Sequence, residues 1–141
     1  MKSLIALLTV FLWGTYSQTV FADNANLVGT YEGIIWSNSD KPGTTEFYLT
    51  TDQKIEGKYV FIDGVSGDEG KGLLNNCDLS GLVLHCIWND EWGTGGFVIE
   101  FEEDFSSFAG QWFDEISEDG RDVTSQSGHT CLLYTSDAAG E

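Results

Sequence analysis

This sequence predicts an all-β chain: an antiparallel up-and-down meander of about seven or eight strands in a closed or nearly closed small barrel. Three observations carry that expectation. Apolar and polar residues alternate with period two in short runs through the middle of the chain. Gly, Asp, Asn and Ser cluster between the runs. No 11-residue window of that region shows a helical stripe of comparable strength.

The chain has 141 residues, room for one domain, and carries a net charge of −17. That charge argues against a protein that grips nucleic-acid phosphates, which needs a basic face, and against adsorption to anionic lipid. With 41% hydrophobic and 13% aromatic residues the chain is also too apolar for a disordered acidic tail.

Residues 1–22 read as a signal peptide. Lys2 gives the positive start, and Leu4 to Trp13 is an apolar run too short to span a bilayer. Val20-Phe21-Ala22 then fits a leader-peptidase cut before Asp23. With no Cys at the cut, the expected product is released without a lipid anchor, secreted or periplasmic, into a compartment where disulfides persist.

The strands follow in order. Tyr31, Gly33 and Ile35 oppose Thr30, Glu32 and Ile34. Phe47 and Leu49 oppose Glu46, Tyr48 and Thr50. Ile55, Gly57, Tyr59 and Phe61 share a face against Glu56, Lys58 and Val60. A weaker strand spans Leu73 to Leu79. Leu82, Leu84, Cys86 and Trp88 oppose Val83, His85 and Ile87. Phe97, Ile99 and Phe101 oppose Val98, Glu100 and Glu102. Phe108, Gly110 and Trp112 oppose Ala109, Gln111 and Phe113. One apolar face per strand and short connections suit a sheet wrapped round one core, and closure removes exposed edges. The single proline, Pro42, is expected in a turn from Ser37 to Gly43.

Gly29-Thr30-Tyr31, Gly57-Lys58-Tyr59 and Gly110-Gln111-Trp112 each set a glycine two places before an inward aromatic, leaving space for a neighbouring ring. With Phe108-Ala109-Gly110-Gln111-Trp112, this pattern resembles the avidin and lipocalin (calycin-type) group of small secreted barrels over roughly residues 27–113. The resemblance implies the architecture. It implies no biotin site, because Ser37, Asn38 and Ser39 fall in the expected proline-containing turn.

At the other end, Cys131 to Glu141 (CLLYTSDAAGE) resembles the in-frame translation of a sequencing adapter. That resemblance implies a non-native tail at 131–141 and a single barrel domain over 23–130, with its C-terminus truncated and the closing strand lost.

Cys77 and Cys86 bracket a hairpin. Gly81 suits the first central position of a type II′ turn, and counting outward from Gly81-Leu82 sets Asp78 opposite His85 and Cys77 opposite Cys86. Such a non-hydrogen-bonded pair brings Cα atoms to about 4.5 Å, inside the disulfide range. A zinc site would want two further ligands, and His85 points to the other face.

Several patterns could carry chemistry. Eleven carboxylates against Arg121 alone lie between Asp90 and Asp122, a solvated face by default and a basic partner's footprint otherwise. Glu115-x-Ser117-x-Asp119-Gly120 imitates a calcium loop but starts with Glu and has Gln126 at position twelve, so no metal site is expected. Glu100 and Glu102 alternate with core residues and face water, which makes poor general acids, and His85 and His129 have no obvious serine partner. No catalytic residue and no cofactor is therefore assigned.

The segment Trp88 to Gly96 reads as a glycine-rich loop at a barrel mouth, with Trp92 the more exposed indole. Trp88, Trp92, Tyr59 and Trp112 are accordingly the candidate ligand-binding residues. The expected function is an exported, non-enzymatic protein that binds a small apolar or aromatic molecule in or at the mouth of the barrel. The alternative is an acidic interaction protein or inhibitor of a basic partner such as a lysozyme-like hydrolase.

Overall fold

The computed structural model describes residues 24–114 and 129–135. Eight strands run round a closed barrel in chain order: β1 (Gly29–Trp36), β2 (Asp40–Leu49), β3 (Ile55–Ile62), β4 (Glu69–Ser80), β5 (Val83–Asp90), β6 (Gly93–Phe101), β7 (Ser107–Trp112) and β8 (His129–Thr135). Every neighbouring pair is antiparallel. The leader, the cut before Asp23 and the calcium-loop-like stretch from Glu115 to Gln126 lie outside the described residues, as do Arg121 and Asp122.

The closing strand is made largely of residues that the adapter resemblance assigns to a tail. Cys131 pairs with Gly110 of β7 on one side and Ile35 of β1 on the other, and Leu133 is fully buried. The barrel wall therefore runs past the expected boundary at Thr130.

Period-two alternation puts one side chain in two inside, and the inside divides into two halves. At one end Tyr31, Phe47, Phe101 and Phe108 form a closed cluster in which all six ring pairs lie 5.1–5.9 Å apart. Leu27, Leu74, Leu84, Ile99 and Leu133 fill the space around them. A helical turn at 24–26 leads into Leu27, and Phe105 packs on Phe101 with its backbone at φ 57°. The Tyr31 hydroxyl lies 3.1 Å from Leu27 O and 2.9 Å from Phe105 O, so its one proton is shared between two loop carbonyls. Burial pushes its pKa up to about 12.

The sequence departs from the structure at several places with identifiable causes. Pro42 sits inside β2 opposite Ile34, and the turn is confined to 37–39. Pairing of β2 with β3 starts only at Gly43 and Phe61, so Pro42 has a neighbour on one side alone, as at an edge. The weak strand from Leu73 to Leu79 is the 12-residue β4, whose alternation is broken by a bulge between Asn75 and Asp78 with Asn76 at φ 48°. Cys77 and Leu79 point inward beyond the bulge and Gly70, Gly72 and Leu74 before it, which leaves Leu73 56% exposed. Gly57 does make room for the Phe47 ring, but Gly110 admits the β6 backbone and Gly29 faces open space, its role being a φ of +151°.

The hairpin count holds. Ser80, Leu79 and Asp78 face Val83, Leu84 and His85, and Gly81 alone of the two turn residues takes positive φ, as a type II′ turn requires. Across the bulge Cys77 and Cys86 form a disulfide with Cα atoms 4.1 Å apart. This bond clips β4 to β5 where their ladder is interrupted.

Two outcomes follow from this packing. Cys86→Ser should lower unfolding free energy under oxidising conditions by about 2–3 kcal/mol, the value for a loop of about ten residues; an unchanged urea midpoint contradicts the clip. Tyr31→Phe should cost about 1 kcal/mol at neutral pH through the lost hydrogen bond. Because Tyr31 holds its proton more tightly folded than unfolded, its contribution is complete below pH 10 and lost as pH rises towards about 12. The gap between wild type and Tyr31→Phe should therefore shrink over that range, and a constant gap contradicts the burial of this hydroxyl.

Candidate functional site

In an antiparallel meander every odd strand ends at the same rim. Here β1, β3, β5 and β7 end there at Trp36, Ile62, Asp90 and Trp112, and below that rim the barrel is hollow. The cavity measures about 550 Å³. Its floor is the aromatic cluster, reached at Thr45, which sits one inward step above Phe47 on β2.

Three indoles build one side. Trp112 stands 6.5 Å from Trp36 and 5.7 Å from Trp88, the latter pair nearly perpendicular at 87°. Two of them spend their N–H on backbone: Trp88 Nε1 donates to Phe113 O at 2.7 Å and Trp112 Nε1 to Trp36 O at 3.0 Å. Opposite, Tyr59 stacks on Phe61 at 6.0 Å, and Phe61 meets Trp92 at 5.5 Å. Ile35 and Phe97 complete the apolar lining.

Glycines on the strands allow these rings to lie against the sheet. A side chain at Gly72 would strike Tyr59, one at Gly70 would strike Phe61 and Trp92, and one at Gly95 would strike Trp88 and the Phe113 carbonyl. The expected wide loop from Trp88 to Gly96 is for that reason a tight hairpin. β5 runs through Asp90, β6 begins at Gly93, and only Glu91 and Trp92 form the turn. Its glycines clear rings, and the Asp90 carboxylate fastens the turn by accepting from Trp92 N at 2.9 Å.

Polar groups gather at the rim. Asp90 Oδ2 accepts from the Tyr59 hydroxyl at 2.7 Å; burial, then that hydrogen bond and the Asp90 charge, push the Tyr59 pKa up. Asp63 accepts from Ser66 N at 3.0 Å, Ser66 Oγ at 2.8 Å and Asn38 Nδ2 at 3.3 Å. Chiefly through Ser66 its pKa is held down to about 2. Asp114 also lines the mouth. Among the described residues no group of three His, Cys, Asp or Glu side chains is placed to hold a metal ion.

All four candidate residues, Trp88, Trp92, Tyr59 and Trp112, line this cavity. Trp36, Thr45, Asp63 and Asp114 join them unforeseen. Asp63, Asp90 and Asp114 each stand at or just after the end of an odd strand, a signal readable once strand ends are fixed. Outside the cavity, His85 faces Asp78 on the outer wall, and Glu100 and Glu102 are exposed.

No family model, no curated protein and no solved structure matches this chain.

With Asp63 ionised far below the ordinary carboxylate range, the β3–β4 turn it caps gains stability above pH 3.8 and loses it as pH falls towards about 2. Amide exchange at Val65 and Ser66 should accelerate relative to the barrel strands over that interval, and should already be fast at neutral pH in Asp63→Ala. Protection that ignores both changes contradicts the cap.

Proposed function

We propose that this chain is an exported binding protein that takes a small apolar or aromatic molecule into the open half of its barrel. The observation that carries this reading is the cavity of about 550 Å³, walled by Trp, Tyr and Phe and rimmed by a few polar groups. Ligand sites are commonly concave, mostly apolar and of this size, and barrel mouths are a frequent place for them.

Export to a secreted or periplasmic location rests on the leader and agrees with the Cys77–Cys86 bond, which persists in an oxidising compartment. Binding without a reaction is proposed because ring faces dominate the cavity wall, and the Trp88 and Trp112 N–H groups are engaged on backbone. Capture of a basic protein is the competing reading, and charge alone supports it.

Titration of the purified protein with a neutral aromatic probe, followed by tryptophan fluorescence at low and physiological salt, tests the proposal. Saturable binding with little salt dependence is expected, because apolar burial drives it. Trp92 is 58% exposed, so Trp92→Ala should leave the melting temperature nearly unchanged while weakening the probe by about three- to tenfold. A basic protein such as lysozyme, run in parallel, should bind only where salt is low. Absence of a probe signal, with salt-resistant binding of the basic protein, contradicts the proposal in favour of its competitor.

A further inference from the structure

We infer that the ligand of this cavity carries a positive charge, as an alkylated or quaternary ammonium group on an apolar body. The inference rests on the binding reading above and adds the sign and chemical class of the ligand.

The walls offer electron-rich ring faces, and the donors of three of those rings are already spent. The Trp88 and Trp112 N–H groups are both engaged on backbone carbonyls, and the Tyr59 hydroxyl donates to Asp90. An anionic ligand would need donors that these groups cannot supply. A cation, by contrast, is attracted to the face of an indole, and Trp112 with its near-perpendicular neighbour Trp88 makes two walls of an aromatic corner.

The rim adds charge of the matching sign. Among the described residues no Lys, Arg or His lines the cavity, whereas Asp63, Asp90 and Asp114 do. The hydrogen bonds to Asp90 and Asp63 come from neutral donors, namely Tyr59, Trp92 N, Ser66, Val65 N and Asn38. The ion pairs Lys58–Glu46 and Lys71–Glu69 do not involve the cavity lining. A metal ion is not the cation in question, because the carboxylates do not converge as metal ligands among the described residues.

The floor supplies a separate observation. Thr45 is 2% exposed and lines the cavity, so its hydroxyl is the polar group nearest the aromatic cluster. One hydroxyl cannot satisfy the three N–H groups of a primary ammonium, whereas an alkylated ammonium at the rim needs few acceptors or none.

The test is a pair of probes of equal shape, phenyltrimethylammonium and tert-butylbenzene, titrated against the intact protein by tryptophan fluorescence. The cation should bind about tenfold tighter or more. Asp90→Asn combined with Asp63→Asn should cut that preference, read as the ratio of the two probe affinities on the same variant, to about threefold or less. Equal binding of the two probes overturns the charge assignment while leaving the binding reading intact. A preference that survives both Asn substitutions overturns the role of the rim carboxylates. Failure of both probes to bind overturns the binding reading itself, and the charge assignment with it.

Discussion

Four mutually touching rings, Tyr31, Phe47, Phe101 and Phe108, occupy one end of the barrel, and the rest of the structure is arranged around them. They come from β1, β2, β6 and β7, so their contact crosses the interior and fixes the relative height of strands far apart in sequence. An eight-stranded barrel is just wide enough for side chains to fill. Filling one end with large rings lets the other stay open, because the closed end supplies the buried apolar area on which folding depends. Tyr31 ties the cluster to the loops beneath it by sharing its hydroxyl proton between Leu27 O and Phe105 O.

Above the cluster the same kind of residue serves differently. Tyr59, Phe61, Trp88 and Trp92 lie against strand glycines, and Trp112 meets Trp88 edge to face. Rings laid against the sheet line a cavity there, whereas the four rings of the closed end meet across the interior and fill it. Glycine placement thus separates a filled half from a hollow one with a nearly uniform aromatic inventory.

Much of the architecture is legible in the sequence because period-two alternation reports directly which face of a strand is buried, and the turn at Gly81-Leu82 fixes the register that joins Cys77 to Cys86. What escapes has specific causes. Asn76 hosts a bulge that reverses the alternation of β4, and nothing in the residue types announces it. Gly93, Gly95 and Gly96 resemble loop punctuation although they belong to β6, where Gly95 clears the Trp88 ring. Pro42 reads as a turn residue because its tolerance within β2 depends on where β3 stops pairing. The aromatic half of the site is visible as inward rings, while its acidic half requires knowing that Asp63, Asp90 and Asp114 come at strand ends on one rim. Whether the barrel is filled or hollow cannot be read from the aromatic count, since both halves use the same residues.

The central claim is this division of labour between a structural end and a binding end. Equilibrium urea unfolding of Phe108→Ala beside Trp92→Ala tests it most directly. Phe108 is fully buried in the cluster, so its truncation should cost about 3–5 kcal/mol, whereas Trp92→Ala should cost under about 1 kcal/mol. Losses of similar size at the two positions would contradict the division and make the open end as much a part of the folding core as the closed one.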